Sequence, residues 1–168
     1  VFAKLSPLNI IKSHFLSLRN YETGRLSRGE IALHFGLPAL LAGVHVVLVP
    51  EVSENVVSII VSAASIVAGL MLNLLVLIYT LVFNAKSNPS PMVDITLFKK
   101  VSRESLDTIA FSILLCLMLV VASFLILSRF PSVALVGRFC TVYLGIAVIF
   151  CLLIVLKRCY IIVQQEMK

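Results

Sequence analysis

The chain has 168 residues, of which 60% are hydrophobic and 13% charged, and its mean hydropathy is +1.09. A water-soluble domain needs more charge to cover its surface, so this composition excludes an ordinary soluble globule. The net charge of +6 does not point to nucleic acid, because the basic residues lie outside the long apolar runs and form no basic stretch interleaved with aromatics; they read as topology determinants facing anionic lipid.

Residues 1–26 predict an amphipathic helix followed by a turn. Ser6-Pro7 supplies a cap and a first-turn proline, and Leu8, Ile11, Phe15 and Leu18 recur on one face. Lys12, His14 and Arg19 lie away from that stripe, the pattern of a helix lying in the headgroup region. Docking on the cytoplasmic ends of the spans, or on a partner, is the other reading of the same pattern. Tyr21 to Leu26, with Gly24, reads as the turn. No cleavable signal peptide is expected, since the first long apolar run begins only at Ile31.

A bilayer core of about 30 Å needs about 20 apolar helical residues, and four stretches of residues 27–168 meet that length. They are Ile31 to Val49, Val56 to Phe83, Ile109 to Leu127 and Phe139 to Leu156, and none contains Asp, Glu, Lys or Arg. The first has a capping box at Ser27-Arg-Gly-Glu30 and an internal Pro38, which predicts a kink. Pro50 to Asn55 is a short connection with two glutamates and no basic residue. The loop 84–108 carries Lys86, Lys99, Lys100 and Arg103. Within that loop Asn88-Pro-Ser-Pro91 reads as extended, and Met92 to Asp107 as a short amphipathic helix leading into the third span. Ser128 to Arg138 is again short, with Arg129 and Arg138. The last span is expected to run on, within the extension 157–168, to Gln165.

Basic residues thus gather on one side: Lys4, Lys12, Arg19, Arg25 and Arg28 before the first span, the central four, then Lys157, Arg158 and Lys168. The positive-inside rule places both termini and the central loop in the cytoplasm. The expected fold is all-α, a polytopic membrane protein of four transmembrane helices with an N-terminal interfacial helix. Lys4, Lys12, Arg19, Lys99, Lys100 and Arg103 are candidates for contact with lipid or a cytosolic partner.

Polar groups inside hydrocarbon are costly unless paired, so they are where function is sought. Ser58, Ser62, Ser65, Gly69, Asn73 and Thr80 fall on one face of the second span. Two readings stay open for this line: a small-residue seam across which Asn73 hydrogen-bonds to another helix, or a face turned to a pore or a subunit axis. His34 and His45 lie eleven residues apart, about 16 Å by helical rise, too far to share a metal within one chain. His34 is expected near the cytoplasmic interface and His45 near the outer one. Ser112, Cys116 and Ser123 on the third span, with Thr141 and Gly145 on the fourth, read as packing positions, as do Cys140, Cys151 and Cys159.

Missing residues argue against several enzymes and carriers. No span holds the embedded glutamate of a small proton-coupled multidrug carrier, and the cysteines form no CxxC pair of the kind a thiol oxidase uses. HExxH, GxSxG and DxxDG patterns do not occur. No catalytic residue, cofactor or metal is expected.

The stretch Arg25-Leu-Ser-Arg-Gly-Glu-Ile-Ala-Leu-His-Phe-Gly-Leu-Pro-Ala-Leu-Leu, with the later Gly69-Leu-Met-Leu-Asn-Leu-Leu-Val-Leu-Ile, resembles a loose group of small bacterial four-helix inner-membrane proteins. That resemblance covers roughly the first half of the chain and implies an association with antiviral defence loci. The expected function is a non-enzymatic, homo-oligomeric effector that perturbs the membrane when a cytosolic partner triggers it. A membrane scaffold or sensor that recruits such a partner, and a small channel or transporter, are the alternatives.

Overall fold

A computed structural model of the chain describes residues 10, 11, 29, 32–49, 52–87 and 95–166. It is all-α. A π-turn, Ala32–Gly36, runs into α1 (Leu37–Leu48); α2 (Glu54–Ser87), α3 (Ile95–Ile126) and α4 (Pro131–Glu166) follow. The last three are long and apolar enough to cross a membrane, whereas the apolar stretch His34–Leu48 is shorter. The predicted box at Ser27 and Glu30, the turn at Tyr21 to Leu26 and the extended Asn88 to Pro91 lie outside the described residues.

The predicted kink at Pro38 takes a specific form. A proline has no N–H to give the carbonyl four residues back, and the backbone here widens into the π-turn just before α1, with Pro38 buried in α1's first turn. Such single-turn π segments relieve a local mismatch in the hydrogen-bond ladder.

Three boundaries differ from the sequence expectation. The amphipathic helix at Met92 to Asp107 and the third span are one continuous helix, α3. The connection Ser128 to Arg138 shrinks to a turn at 127–130, because Pro131 opens α4 and Ala134 N–H bonds to Phe130 carbonyl at 3.0 Å. At the preceding end, Leu127 and Ser128 bond back to Phe124 and Leu125, both at 3.2 Å, which tightens the last turn of α3. Glu54, placed by sequence in the first outer connection, is already the first residue of α2.

The α3–α4 hairpin is the centre of the molecule, with α2 added to α3 and α1 added to α4. Consecutive in the chain, α1 and α2 do not pack together among the described residues. Val57, Ala64, Met71 and Ile78 are the buried positions of α2. Their seven-residue interval is the heptad seam of a helix packed along one neighbour. One core cluster joins Phe111, Leu115 and Cys116 of α3 to Ala147, Val148 and Cys151 of α4. A second joins Met71 and Ile78 to Ile109 and Val155. Gly137 explains how close the hairpin comes: a Cβ there would stand 2.8 Å from backbone atoms of Leu125 and Ile126.

Candidate functional site

The buried face of α3 is rich in small hydroxyls. Ser105, Thr108, Ser112 and Ser123 are all buried, and each donates to the carbonyl four residues back at 2.8–2.9 Å. A hydroxyl satisfied within its own helix enters an apolar interface at little cost and leaves room for a close neighbour. This confirms Ser112, Cys116 and Ser123 as packing positions. It extends the ladder into Ser105 and Thr108, which sequence reasoning had left in a cytoplasmic loop.

Two arginines of α4 tie it to different neighbours. Arg138 donates to the Val49 carbonyl at 3.0 Å, closing the C-terminal end of α1. Arg158 donates to the Glu104 carbonyl at 2.7 Å and to Thr108 Oγ1 at 2.5 Å, while its other nitrogen stands 3.6 Å from the Glu104 carboxylate. The shorter contacts identify the α3 backbone and Thr108 as the main partners; the ion pair is secondary.

His34 is buried against α4, with Nε2 3.6 Å from Cys151 Sγ, and its ring meets those of Phe35 and Phe150. The π-turn and α4 therefore meet at one polar point inside the bundle. All four cysteines are free, with Cys116 and Cys151 buried and Cys140 and Cys159 half-buried. Among the described residues no three His, Cys, Asp or Glu side chains gather as a metal set.

The predicted seam on α2 lies elsewhere. Ser58, Ser62, Ser65, Gly69, Asn73 and Thr80 are all exposed, off the heptad seam that packs on α3. Ser65 and Thr80 bond back to their own helix, to Val61 at 2.8 Å and to Val76 and Leu77 at 3.0 and 2.7 Å. Gly69 has no atom within 4 Å of where a Cβ would stand. Asn73 makes no side-chain hydrogen bond among the described residues. It lies about 13 Å of helical rise from Val82, which joins the cluster of Ile109, Val155 and Cys159. No described helix of the same chain covers this face, so the small-residue line is not the chain's own packing seam.

Of the candidate basic contacts, Arg103 is exposed on α3, and Lys99 and Lys100 belong to the same helix. Lys4, Lys12 and Arg19 lie outside the described residues. No protein-family model, curated protein or solved structure matches the chain.

Proposed function

We propose that the chain is a non-enzymatic, homo-oligomeric protein of the bacterial inner membrane, acting in antiviral defence as an effector that perturbs the membrane when a cytosolic partner triggers it. The observation that carries the oligomeric part is Asn73, a primary amide on the exposed face of a membrane-spanning helix. An amide in hydrocarbon needs a partner. It is donor and acceptor at once, so the same residue of a second copy, inserted in the same orientation and at the same depth, satisfies it. Gly69, one turn away, leaves the backbone open to close approach. The defence assignment draws on the resemblance of Arg25 to Leu41 and Gly69 to Ile78.

The topology belongs to this proposal. Val49 meets Arg138 and His34 meets Cys151, so α1 runs antiparallel to α4. Counting back along α1 from Val49 by the length that separates Arg138 from Arg158 reaches Gly29, which is also helical. The fourth span expected at Ile31 to Val49 would, by sequence order, leave Arg25 and Arg28 at the end of that span opposite Val49, the end that faces the Arg158 side of α4, which supports cytoplasmic termini.

The test is membrane potential and dye entry in cells expressing the chain, with and without phage and the neighbouring genes. Trigger-dependent depolarisation that Asn73→Leu abolishes while assembly persists supports a water-facing seam in the effector. Weakened assembly in the same variant, by roughly 1 kcal/mol, supports Asn73 as interhelical glue. A membrane that stays intact while defence persists rejects the effector in favour of the scaffold. That second reading has its own support, since α3 and α4 continue past the Arg158–Glu104 contact as helices to Ile95 and Glu166, a ready platform for a cytosolic protein.

A further inference from the structure

Two metal-ligating side chains meet where the π-turn packs on α4. His34 is 4% exposed and Cys151 0%, and Nε2 and Sγ stand 3.6 Å apart. Cys151 lies about 10 Å of helical rise from Arg158 and about 20 Å from Arg138, well inside the apolar stretch of α4. Cys116 of α3 belongs to the same core cluster. Stability alone does not call for the His34–Cys151 pair. A thiol is a weak hydrogen-bond donor, and two apolar side chains of similar shape would fill the space with nothing to desolvate. The histidine is carried by a π-turn, a form that is rare in helices and recurs at functional sites.

The separation suits a closed-shell metal ion. Bonds of about 2.05 Å to imidazole nitrogen and about 2.3 Å to thiolate sulfur, meeting near the tetrahedral angle, span about 3.6 Å. An ion therefore fits in place of the shared proton with the helices where they stand. Charge then selects the ion. Binding releases the thiol proton, so a monovalent cation leaves the site with no net charge. A divalent cation would leave a positive charge in hydrocarbon, where it is costly. Thiolate and imidazole together are a soft donor set, which favours copper(I). Copper(I) is also satisfied by few ligands, whereas structural zinc takes four, and no set of three or more His, Cys, Asp or Glu gathers among the described residues.

We propose that His34 and Cys151 form a binding site for copper(I) that ties the π-turn to α4. On binding, the Cys151 S–H bond breaks, Sγ–Cu and Nε2–Cu bonds form, the proton leaves to solvent and copper keeps its oxidation state. The inference is independent of the effector reading.

The test uses the full chain in detergent micelles, with Cys140 and Cys159 replaced by serine, titrated anaerobically with copper(I) in competition with bicinchoninate. One equivalent is expected to bind, with a sulfur-to-copper charge-transfer band in the ultraviolet. His34→Leu and Cys151→Ser are each expected to weaken binding at least roughly tenfold, since even the loss of an outer-shell partner has that effect at metal sites. Cys116→Ser is expected to leave the affinity unchanged; a loss as large as that of Cys151→Ser adds Cys116 as a third ligand and also supports the site. Binding that survives His34→Leu is adventitious thiol binding only and overturns the proposal, as does failure to compete with bicinchoninate. X-ray absorption at the copper edge decides without a variant, should His34→Leu fail to fold. Scattering from an imidazole ring together with sulfur supports the site, and a shell of sulfur alone overturns it.

Discussion

Arg138 and Arg158 stand twenty residues apart on α4, and each leaves its helix to hold a backbone carbonyl of a neighbour, Val49 of the α1 end and Glu104 of α3. Twenty residues of α-helix rise about 30 Å, the thickness of a bilayer's hydrocarbon core. The two guanidinium groups therefore bracket the apolar part of α4, and both bind helix backbone at its ends. Residues 139–156 between them include no charged residue.

The Arg158 bracket predicts an ordering of variants. Arg158→Ala removes two short hydrogen bonds from a charged donor and is expected to cost about 2 kcal/mol. Arg158→Lys loses the fork that reaches both the Glu104 carbonyl and Thr108, and falls between alanine and wild type. Glu104→Gln keeps the carbonyl and weakens the 3.6 Å contact, so it is expected to cost under about 1 kcal/mol. Unfolding in mixed micelles with increasing denaturing detergent measures all three. An effect of Glu104→Gln equal to that of Arg158→Ala would show that the carboxylate is the main partner.

At the hairpin, Gly137→Ala adds a methyl where backbone atoms of Leu125 and Ile126 already stand at 2.8 Å. Backbone cannot step aside as a flexible side chain does, so the variant is expected to lose about 1–3 kcal/mol, and Gly137→Val more. The same alanine at Gly69, which faces open space, costs the lone chain nothing. Thermal unfolding of the two variants, compared side by side, checks the contrast.

The exposed face of α2 predicts a separation of fold from assembly. Gly69→Ile and Asn73→Leu leave the heptad seam of Val57, Ala64, Met71 and Ile78 intact, so single-chain stability is expected to stay within about 0.5 kcal/mol. Association, measured by energy transfer between labelled copies in vesicles, is expected to weaken in Gly69→Ile. Unchanged transfer would remove α2 from the interface between copies.

Ser102 and Thr141 are buried with hydroxyls that find no partner among the described residues. Replacing such a group by an apolar one of similar shape removes a desolvation penalty. Thr141→Val and Ser102→Ala are each expected to stabilise the chain by about 1 kcal/mol. A loss of stability in either, read from the same unfolding experiment, would reveal a hydrogen bond at that hydroxyl.

Long apolar runs made the spanning helices legible, because length and hydropathy are properties of single segments. Pairing was not legible in the same way. His34 and Cys151 are separated by 117 residues, and neither carries a motif that points to the other. One helix end was misjudged where charge was taken for loop: Arg138 lies within α4, where the Val49 carbonyl receives it. Glu104 and Ser105 were read as helical but outside the packed bundle, and Thr108 as the end of the loop; back-bonding within the helix lets Ser105 and Thr108 enter the core. The α2 line reads as a face from its spacing, but which way it turns depends on the heptad packing against α3, which no local pattern in α2 declares.

Because α1 packs on α4 and, among the described residues, on no other long helix, the chain faces a problem of timing as it is made. The carbonyl of Val49 waits for Arg138, 89 residues later. At the usual pace of synthesis, 5–20 residues per second, that delay is on the order of ten seconds. Through that interval the first apolar segment, with its π-turn and its buried histidine, must be sheltered by lipid or by the insertion machinery. The helix that completes the packing of α1 is made long after α1 itself.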